Sequence, residues 1–242
     1  MKKFPTYQTF GEHAILLDWP SNNDLGIHDE VLSYARFISE SFSEEIIETV
    51  PTYQSLAVYL KPEINIQLFM DTLMGRKINI SEFTSEDKQL ITIPVCYEPE
   101  FGVDIQIVAE SNHISVAEVI KLHTKPVYKI FFLGFLPGFP YLEGLNTKLN
   151  TPRRDKPRPL VERGSVGIGG AQTGIYTVDS PGGWNIIGRT PLQFFDTSQL
   201  PPTKVNAGDF IKFQAINQTE FDLIRIEVEA GTFQWRKEVH RD

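Results

Sequence analysis

Cysteine, excess positive charge and long apolar runs are all scarce in this sequence of 242 residues. Cys96 is the one cysteine, so no disulfide forms within the chain, and this favours a reducing compartment. Lys and Arg number 23 against 31 Asp and Glu, whereas binding nucleic acid by phosphate neutralisation needs a basic face. No apolar run approaches the ~20 residues of a membrane span, and Met1–Phe10 shows no cationic apolar leader. We therefore expect a cytoplasmic protein that binds neither membrane nor nucleic acid.

Familiar catalytic and metal-binding motifs are also missing. The sequence has no His-Glu-x-x-His, no paired-cysteine motif and no Gly-x-Ser-x-Gly. The tract GSVGIGGAQTG, which begins at Gly164, is not followed by a Walker lysine and lies among predicted strands. We predict no metal site and assign no catalytic residue. Cys96 is expected to be a small buried hydrophobe, and His123 to lie either at a helix end or against a pocket.

The first 85 residues predict a small α/β domain. Strands are expected at Ala14–Leu17, Ile46–Val50 and Ser55–Leu60, with one helix over His28–Phe42 and a second one capped by Asn65. This order predicts an open sheet with helices on one side. The polar stretch Ser81–Lys88 reads as a linker to a second domain over residues 86–242.

Residues 86–242 predict a β-barrel, so the fold class is α+β. Leu90–Tyr97 and Phe210–Gln214 read as strands, and Ser115–Glu118 is a capping box that opens one short helix through His123. The alternation of Ile224–Ala230 predicts another strand. Many strands joined by Gly and Pro turns, with almost no helix, favour a barrel.

Three neighbouring segments have the composition of a ligand site. Phe132–Leu145 carries aromatic residues on a backbone turned by proline and glycine, Pro152–Arg163 has five positive and two negative charges, and Gly164–Arg189 holds eight of the 17 glycines. Arginine matches carboxylate and phosphate groups, and glycine lets backbone amides approach an anion. We predict a pocket for a small anionic or amide-bearing molecule. The alternative is that the arginines are solvated and the glycines serve barrel corners.

Five blocks of the sequence resemble one known family. They are ETVPTYQSLAVYL, IPVCYEPEFGVDIQIVAE, FLGFLPGFPYLEGL, TPRRDKPRPLVERGSVGIGGAQTGIY and SPGGWNIIGRTPLQFFD, in that order. The family is named for the B subunit of 5-oxoprolinase, the kinase inhibitor KipI and the first subunit of allophanate hydrolase, and the resemblance spans about Gly11 to Phe213. It implies an N-terminal α/β domain followed by a cyclophilin-like β-barrel.

The resemblance also implies a function. The implied enzyme is an ATP-dependent 5-oxoprolinase, which opens 5-oxo-L-proline to L-glutamate with release of ADP and phosphate. This chain would be its B subunit, inactive without the C and A subunits, and ATP would bind on or shared with a partner subunit. Two alternatives stay open: a KipI-like inhibitor of a sensor histidine kinase, and a carboxyltransferase subunit of a urea carboxylase. The chain has no biotin-carrier lysine motif.

Positions matching the family's motifs form two groups. Those expected to bind substrate are Phe139, Tyr141, Arg153, Arg154, Arg158, Gln172, Tyr176, Trp184 and Arg189; those expected to shape the backbone are Gly138, Gly164, Ser165, Pro181, Gly182 and Gly183. Arg153, Arg154 and Arg158 are the expected anion binders. The sequence departs from the family at Thr177, where proline is commoner. The aromatic turn is expected at the barrel mouth, a preferred place for ligand sites; the alternative is that Phe139 and Tyr141 pack the second domain against the first.

Overall fold

The computed structural model describes residues 5–20, 25–76, 78–79, 82–83 and 88–240. Its contacts divide the chain into two compact units, Met1–Glu86 and Asp87–Asp242. Most of the predicted linker Ser81–Lys88 lies outside the described residues.

The first unit is a four-stranded antiparallel sheet with two helices. In chain order it contains β1 (Thr6–Thr9), β2 (Ala14–Asp18), α1 (Leu25–Ser41), β3 (Ile46–Pro51), β4 (Ser55–Leu60) and α2 (Ile66–Met74). The strands lie in the order β1-β2-β4-β3. The three predicted strands and both predicted helices are confirmed. The sequence did not predict β1, because this short edge strand has no buried face to give it an apolar pattern.

One apolar core holds this first unit together. Val31 and Ile38 of α1 are fully buried and share a hydrophobic cluster with Leu17 of β2 and Val58 of β4. The spacing of apolar residues along α1 therefore places one face of the helix in the core. The Asn65 side chain accepts a hydrogen bond from the third residue of α2, as its position before the helix predicted.

The second unit is built around a strand-rich core. Its elements are β5 (Gln89–Cys96), α3 (Ile105–Ser111), α4 (Val116–Thr124), β6 (Tyr128–Leu133), β7 (Pro140–Glu143), β8 (Arg158–Val161), β9 (Ser165–Gly169), β10 (Gln172–Ile175), β11 (Ser180–Gly182), β12 (Asn185–Arg189), β13 (Phe210–Ile216), α5 (Gln218–Glu229) and β14 (Lys237–Val239). Thr147–Leu149 form a short 3₁₀ turn.

Seven of these strands close into a barrel. The order β12-β9-β10-β7-β6-β13-β5 returns to β12 through a pairing between Arg189 and Cys96. A separate ribbon of β8 and β11 lies outside the closed sheet, and β14 extends β5. The predicted α+β fold, an α/β unit followed by a β-barrel, is confirmed.

The strand predicted over Ile224–Ala230 is wrong, because this segment belongs to α5. A capping box between Asn217 and Glu220 fixes the start of this helix, and Phe221 is its buried residue. Ile224 and Val228 continue the helical face at spacings of three and four and pack against the barrel core. The same residues fit a period of two, so the alternation alone could not decide. The expectation of a single short helix was also too low, since α3 and α5 accompany α4.

Across the described ranges, none of the helices combines the length and the apolar character needed to cross a membrane.

Candidate active site

An aromatic cavity of about 100 Å³ lies in the second unit. Its lining combines residues from the three segments that the sequence singled out, namely Phe135, Phe139, Tyr141, Arg153, Tyr176, Gly182, Gly183 and Trp184. Seven of the predicted site residues therefore meet at one place. Phe135 is an addition, since it lies within the quoted aromatic segment but was not singled out there.

The turn after β6 carries the aromatic residues into this cavity. Two backbone hydrogen bonds close the turn, from Gly134 N to Phe139 O at 3.0 Å and from Phe139 N to Leu136 O at 3.0 Å. Gly138 has a φ of +72°, which explains the need for glycine there. Phe135 has a φ of +70°, which is rare for an aromatic residue, and its side chain is 70% exposed. The turn thus buries Phe139 and leaves Phe135 at the mouth.

Four rings pack edge to face around the cavity. Phe139 is the hub, with ring centroids 5.5 Å from Tyr176, 5.5 Å from Trp184 and 5.1 Å from Tyr141. These separations lie in the favourable range for edge-to-face aromatic pairs. Phe139, Tyr176 and Trp184 form a buried cluster within the second unit. Phe139 therefore packs inside its own unit.

Glycines make room for two of these rings. A Cβ atom at Gly169 would lie 2.5 Å from Nε1 of Trp184, and one at Gly182 would lie 2.4 Å from the Tyr176 hydroxyl. The rings therefore lie directly against the backbone, which accounts for part of the glycine content of Gly164–Arg189.

Arg153 supplies the positive charge of the cavity. Its guanidinium carbon lies 5.8 Å from the centre of the Trp184 ring, within the range of a cation–π contact. No carboxylate among the described residues pairs with it. Arg153 therefore presents a guanidinium with unused donors beside an apolar wall.

Arg154 and Arg158 are arranged differently, because both bind the buried carboxylate of Asp104. Arg158 donates to both carboxylate oxygens at 2.7 Å, and Arg154 donates to Oδ1 at 2.9 Å. Neither arginine lines the cavity. Asp104 was missed in the sequence, where a single aspartate at the start of a short helix carries no distinguishing signal.

Both tyrosines of the cavity are held in the neutral form. Burial raises the pKa of Tyr176 above its ordinary value, although the Trp184 backbone N–H and the Arg153 guanidinium act in the opposite direction. Burial likewise raises the pKa of Tyr141, again opposed by Arg153. At neutral pH the two phenols are hydrogen-bond donors.

The other predicted site residues lie outside the cavity lining. Gln172 begins β10 opposite Gly169, and Arg189 ends β12, where it pairs with Glu162. Gly164 has a φ of +82° in the turn before β9, and Ser165 is buried in β9. Gly138 belongs to the turn described above, and Pro181 is an exposed residue of β11.

His123 is buried inside the barrel. Its Nδ1 lies 2.8 Å from the Tyr97 hydroxyl and its Nε2 lies 2.9 Å from the Thr173 hydroxyl. Burial lowers the pKa of His123 to about 3, so the imidazole is neutral. It is a structural group of the core and does not line the aromatic cavity. Cys96 is fully buried, as its sequence context predicted.

Comparison with known proteins matches this arrangement to one family. Residues 5–205 match the model described as carboxyltransferase domain, subdomain C and D. The chain is 35% identical over 231 residues to the 5-oxoprolinase B subunit of Bacillus subtilis (strain 168), covering 91% of this chain and 96% of that protein. It is 37% identical over 204 residues to the 5-oxoprolinase B subunit of Haemophilus influenzae, covering 84% and 93%. The chain belongs to this carboxyltransferase-domain family. The resemblance noted in the sequence is confirmed.

Three solved structures share the fold. The conserved uncharacterized protein PH0987 from Pyrococcus horikoshii is 42% identical with a TM-score of 0.54, covering 89% of this chain and 100% of that chain. TTHA0988 is 29% identical with a TM-score of 0.74 over 84% of this chain, which spans 40% of that longer chain. Urea carboxylase from Kluyveromyces lactis has a TM-score of 0.77 over 97% of this chain, which spans 24% of it; at 20% identity this likeness shows the fold alone.

Proposed function

We propose that this chain is the B subunit of an ATP-dependent 5-oxoprolinase. The reaction opens the lactam of 5-oxo-L-proline with water and gives L-glutamate, with ADP and phosphate as the other products. The observation that carries the proposal is the identity of 35% and 37%, over most of both chains, to two bacterial proteins with that name. The aromatic cavity is the proposed substrate site.

The chemistry of the substrate matches the cavity. 5-Oxo-L-proline is a compact ring with one carboxylate and one amide. The rings of Phe139, Tyr176 and Trp184 offer apolar walls for the ring, and the Arg153 guanidinium offers a paired-donor contact for the carboxylate. The neutral phenol of Tyr176 can donate to the amide oxygen, where negative charge develops as the bond is attacked.

ATP does not fit this cavity. Its volume of about 100 Å³ is well below the ~300–1,000 Å³ of typical ligand sites. Arg153 is the one cation in its lining, whereas a triphosphate carries several negative charges. We therefore propose that the nucleotide binds on a partner subunit, and that this chain contributes substrate binding. The partners in this proposal are the C and A subunits of 5-oxoprolinase.

The test is release of L-glutamate and ADP from 5-oxo-L-proline and ATP. The chain is assayed alone, in a mixture with its candidate A and C subunits, and that mixture is assayed again with this chain omitted. We expect activity only in the full mixture. Activity that does not depend on this chain would refute the proposal.

A pair of matched variants ties the activity to the cavity. Arg153→Gln removes the unpaired guanidinium and is expected to raise KM by roughly tenfold or more, the value of one charge-assisted contact. Lys156→Gln removes the same charge from an exposed position of the same loop that does not line the cavity. It is expected to leave KM within about twofold of wild type. Equal effects of the two substitutions would move the substrate site elsewhere.

A further inference from the structure

A single buried carboxylate organises the loop that carries the three clustered arginines. Asp104 is 1% exposed and accepts four hydrogen bonds. Three come from the guanidinium groups of Arg154 and Arg158, and the fourth comes from the backbone N–H of Ile186 at 2.8 Å. All the donors converge on one group, so its removal would leave two half-buried guanidiniums without their partner.

Each partner of Asp104 is attached to a wall of the aromatic cavity. The Arg154 backbone N–H donates to the Gly183 carbonyl at 2.8 Å, and Arg158 pairs with Gly182 across the ribbon of β8 and β11. Ile186 lies two residues after Trp184, and its carbonyl accepts from the Asp104 backbone N–H at 2.8 Å. The carboxylate thus holds the arginine loop and the Gly182–Trp184 wall in one register.

The same contacts decide which arginine is free to bind a ligand. Arg154 and Arg158 direct their terminal donors at Asp104, whereas Arg153 lies over the Trp184 ring without a carboxylate partner among the described residues. Only one of the three guanidiniums is therefore positioned for a substrate carboxylate. The remaining walls are aromatic and offer little solvation to a second charge.

We propose that Asp104 is a positioning residue that makes the cavity selective for a cyclic monocarboxylate over the opened dicarboxylate. It does so by sequestering Arg154 and Arg158 and leaving Arg153 as the sole ligand cation. The inference rests on the proposed function and deepens it, since ring opening converts the neutral amide into a second carboxylate and an ammonium group. The product is then held less tightly than the substrate, which favours its release.

The decisive experiment compares KM for 5-oxo-L-proline with the inhibition constant of L-glutamate in the assembled enzyme. Asp104→Asn releases two guanidiniums beside the cavity, so the substrate should bind more weakly and the dicarboxylate relatively better. We expect the ratio of inhibition constant to KM to fall by roughly tenfold, about one charge-assisted contact. Loss of packing alone would raise both constants together and leave the ratio unchanged, and that result would overturn the proposal.

Conservative and single-arginine variants keep the test open if Asp104→Asn folds poorly. Asp104→Glu keeps the charge and should keep a ratio close to that of wild type. Arg154→Gln and Arg158→Gln should each destabilise the barrel while changing KM less than about threefold, in contrast to Arg153→Gln. A tenfold rise in KM for Arg154→Gln or Arg158→Gln without loss of stability would show that these arginines bind the ligand directly, and would overturn the proposal.

Failure of the proposed function would look different. In that case the wild-type chain would support no 5-oxoproline-dependent activity, and the role of Asp104 would be judged from unfolding. In a double-mutant cycle of Asp104→Asn and Arg158→Gln, the two substitutions should be strongly coupled in the unfolding equilibrium of the barrel. Additive effects, with coupling below about twofold, would refute the arrangement itself.

Discussion

Gly169→Ala is the substitution that tests most directly whether the rings of the cavity lie against the backbone. The added Cβ would lie 2.5 Å from Nε1, 2.6 Å from Cδ1 and 2.7 Å from Cε2 of Trp184. Because apolar contacts settle at about 3.5–4.0 Å, the indole has to shift by about 1 Å. Such overpacking of a buried ring costs about 1–3 kcal/mol of the free energy of unfolding. The shift also carries the ring face away from Arg153.

The neighbouring glycine provides the matched control. Gly170 has a φ of +65°, and a Cβ there would meet nothing within 4 Å. Gly170→Ala therefore introduces a left-handed alanine, at a cost of about 1 kcal/mol, and leaves Trp184 where it is. The two variants have comparable stability but differ in the cavity, so only Gly169→Ala should raise KM for 5-oxo-L-proline, by roughly tenfold.

The single cysteine gives a stability assay that is specific for the barrel. Cys96 is the one cysteine of the chain and is fully buried in β5. Labelling of its thiol at increasing urea concentrations reports unfolding of the second unit, whereas a global signal would mix both units. If Gly169→Ala matched wild type in both urea midpoint and KM, Trp184 would not be packed as described. An equal rise in KM for Gly170→Ala would refute the assignment of the effect to the indole.

Three further predictions concern the scaffold. His123→Gln should reduce the loss of stability on acidification: the folded-state pKa of His123 lies at about 3 against an ordinary 6.5, so the unfolded chain binds the proton first and stability falls as pH drops through that window. Between pH 7.5 and pH 5 this amounts to about 2 kcal/mol, measured by urea unfolding, and an unchanged pH dependence in the variant would contradict it. Asn217→Ala should cost about 0.5–2 kcal/mol through loss of the α5 capping box, with Asn112→Ala outside that motif for comparison. The Cys96 thiol should react with a disulfide reagent only after unfolding, because burial raises its pKa as well as blocking access; rapid labelling of the native chain would show that β5 opens.

The elements that the sequence predicted best are those whose signal is local. The Asn65 cap, the face of α1 and strands β2 to β4 depend on spacing and capping within a few residues, and the structure has them where expected. Ile224–Ala230 went wrong because its residues satisfy two periods at once. The signal that settles it lies upstream, in the capping box at Asn217 and Glu220. Gly231, with a φ of +70° just after α5, is a second local sign of a helix end.

The closing of the barrel is beyond such local reasoning. β13 runs parallel to β5, and Phe210 pairs with Leu90, which is more than a hundred residues earlier in the chain. The ring closes through one pairing between Arg189 and Cys96. Contacts of this kind follow from the whole chain being packed at once, and no short pattern encodes them. The sequence predicted a barrel from the density of strands and turns, without the order of its strands.

The candidate site shows the same division between local and distant information. Aromatic residues on a proline-stiffened turn and glycines that admit rings are readable in the segments themselves, and five predicted side chains with two predicted glycines line the cavity. Arg153, Arg154 and Arg158 look equivalent in the sequence, because what separates them is a carboxylate 50 and 54 residues away from two of them. Burial of Asp104 turns those two into supports and leaves Arg153 for a ligand. Substituting the three arginines as a group would therefore mix lost stability with lost binding, and each arginine has to be changed alone, with the unfolding of the barrel measured beside KM.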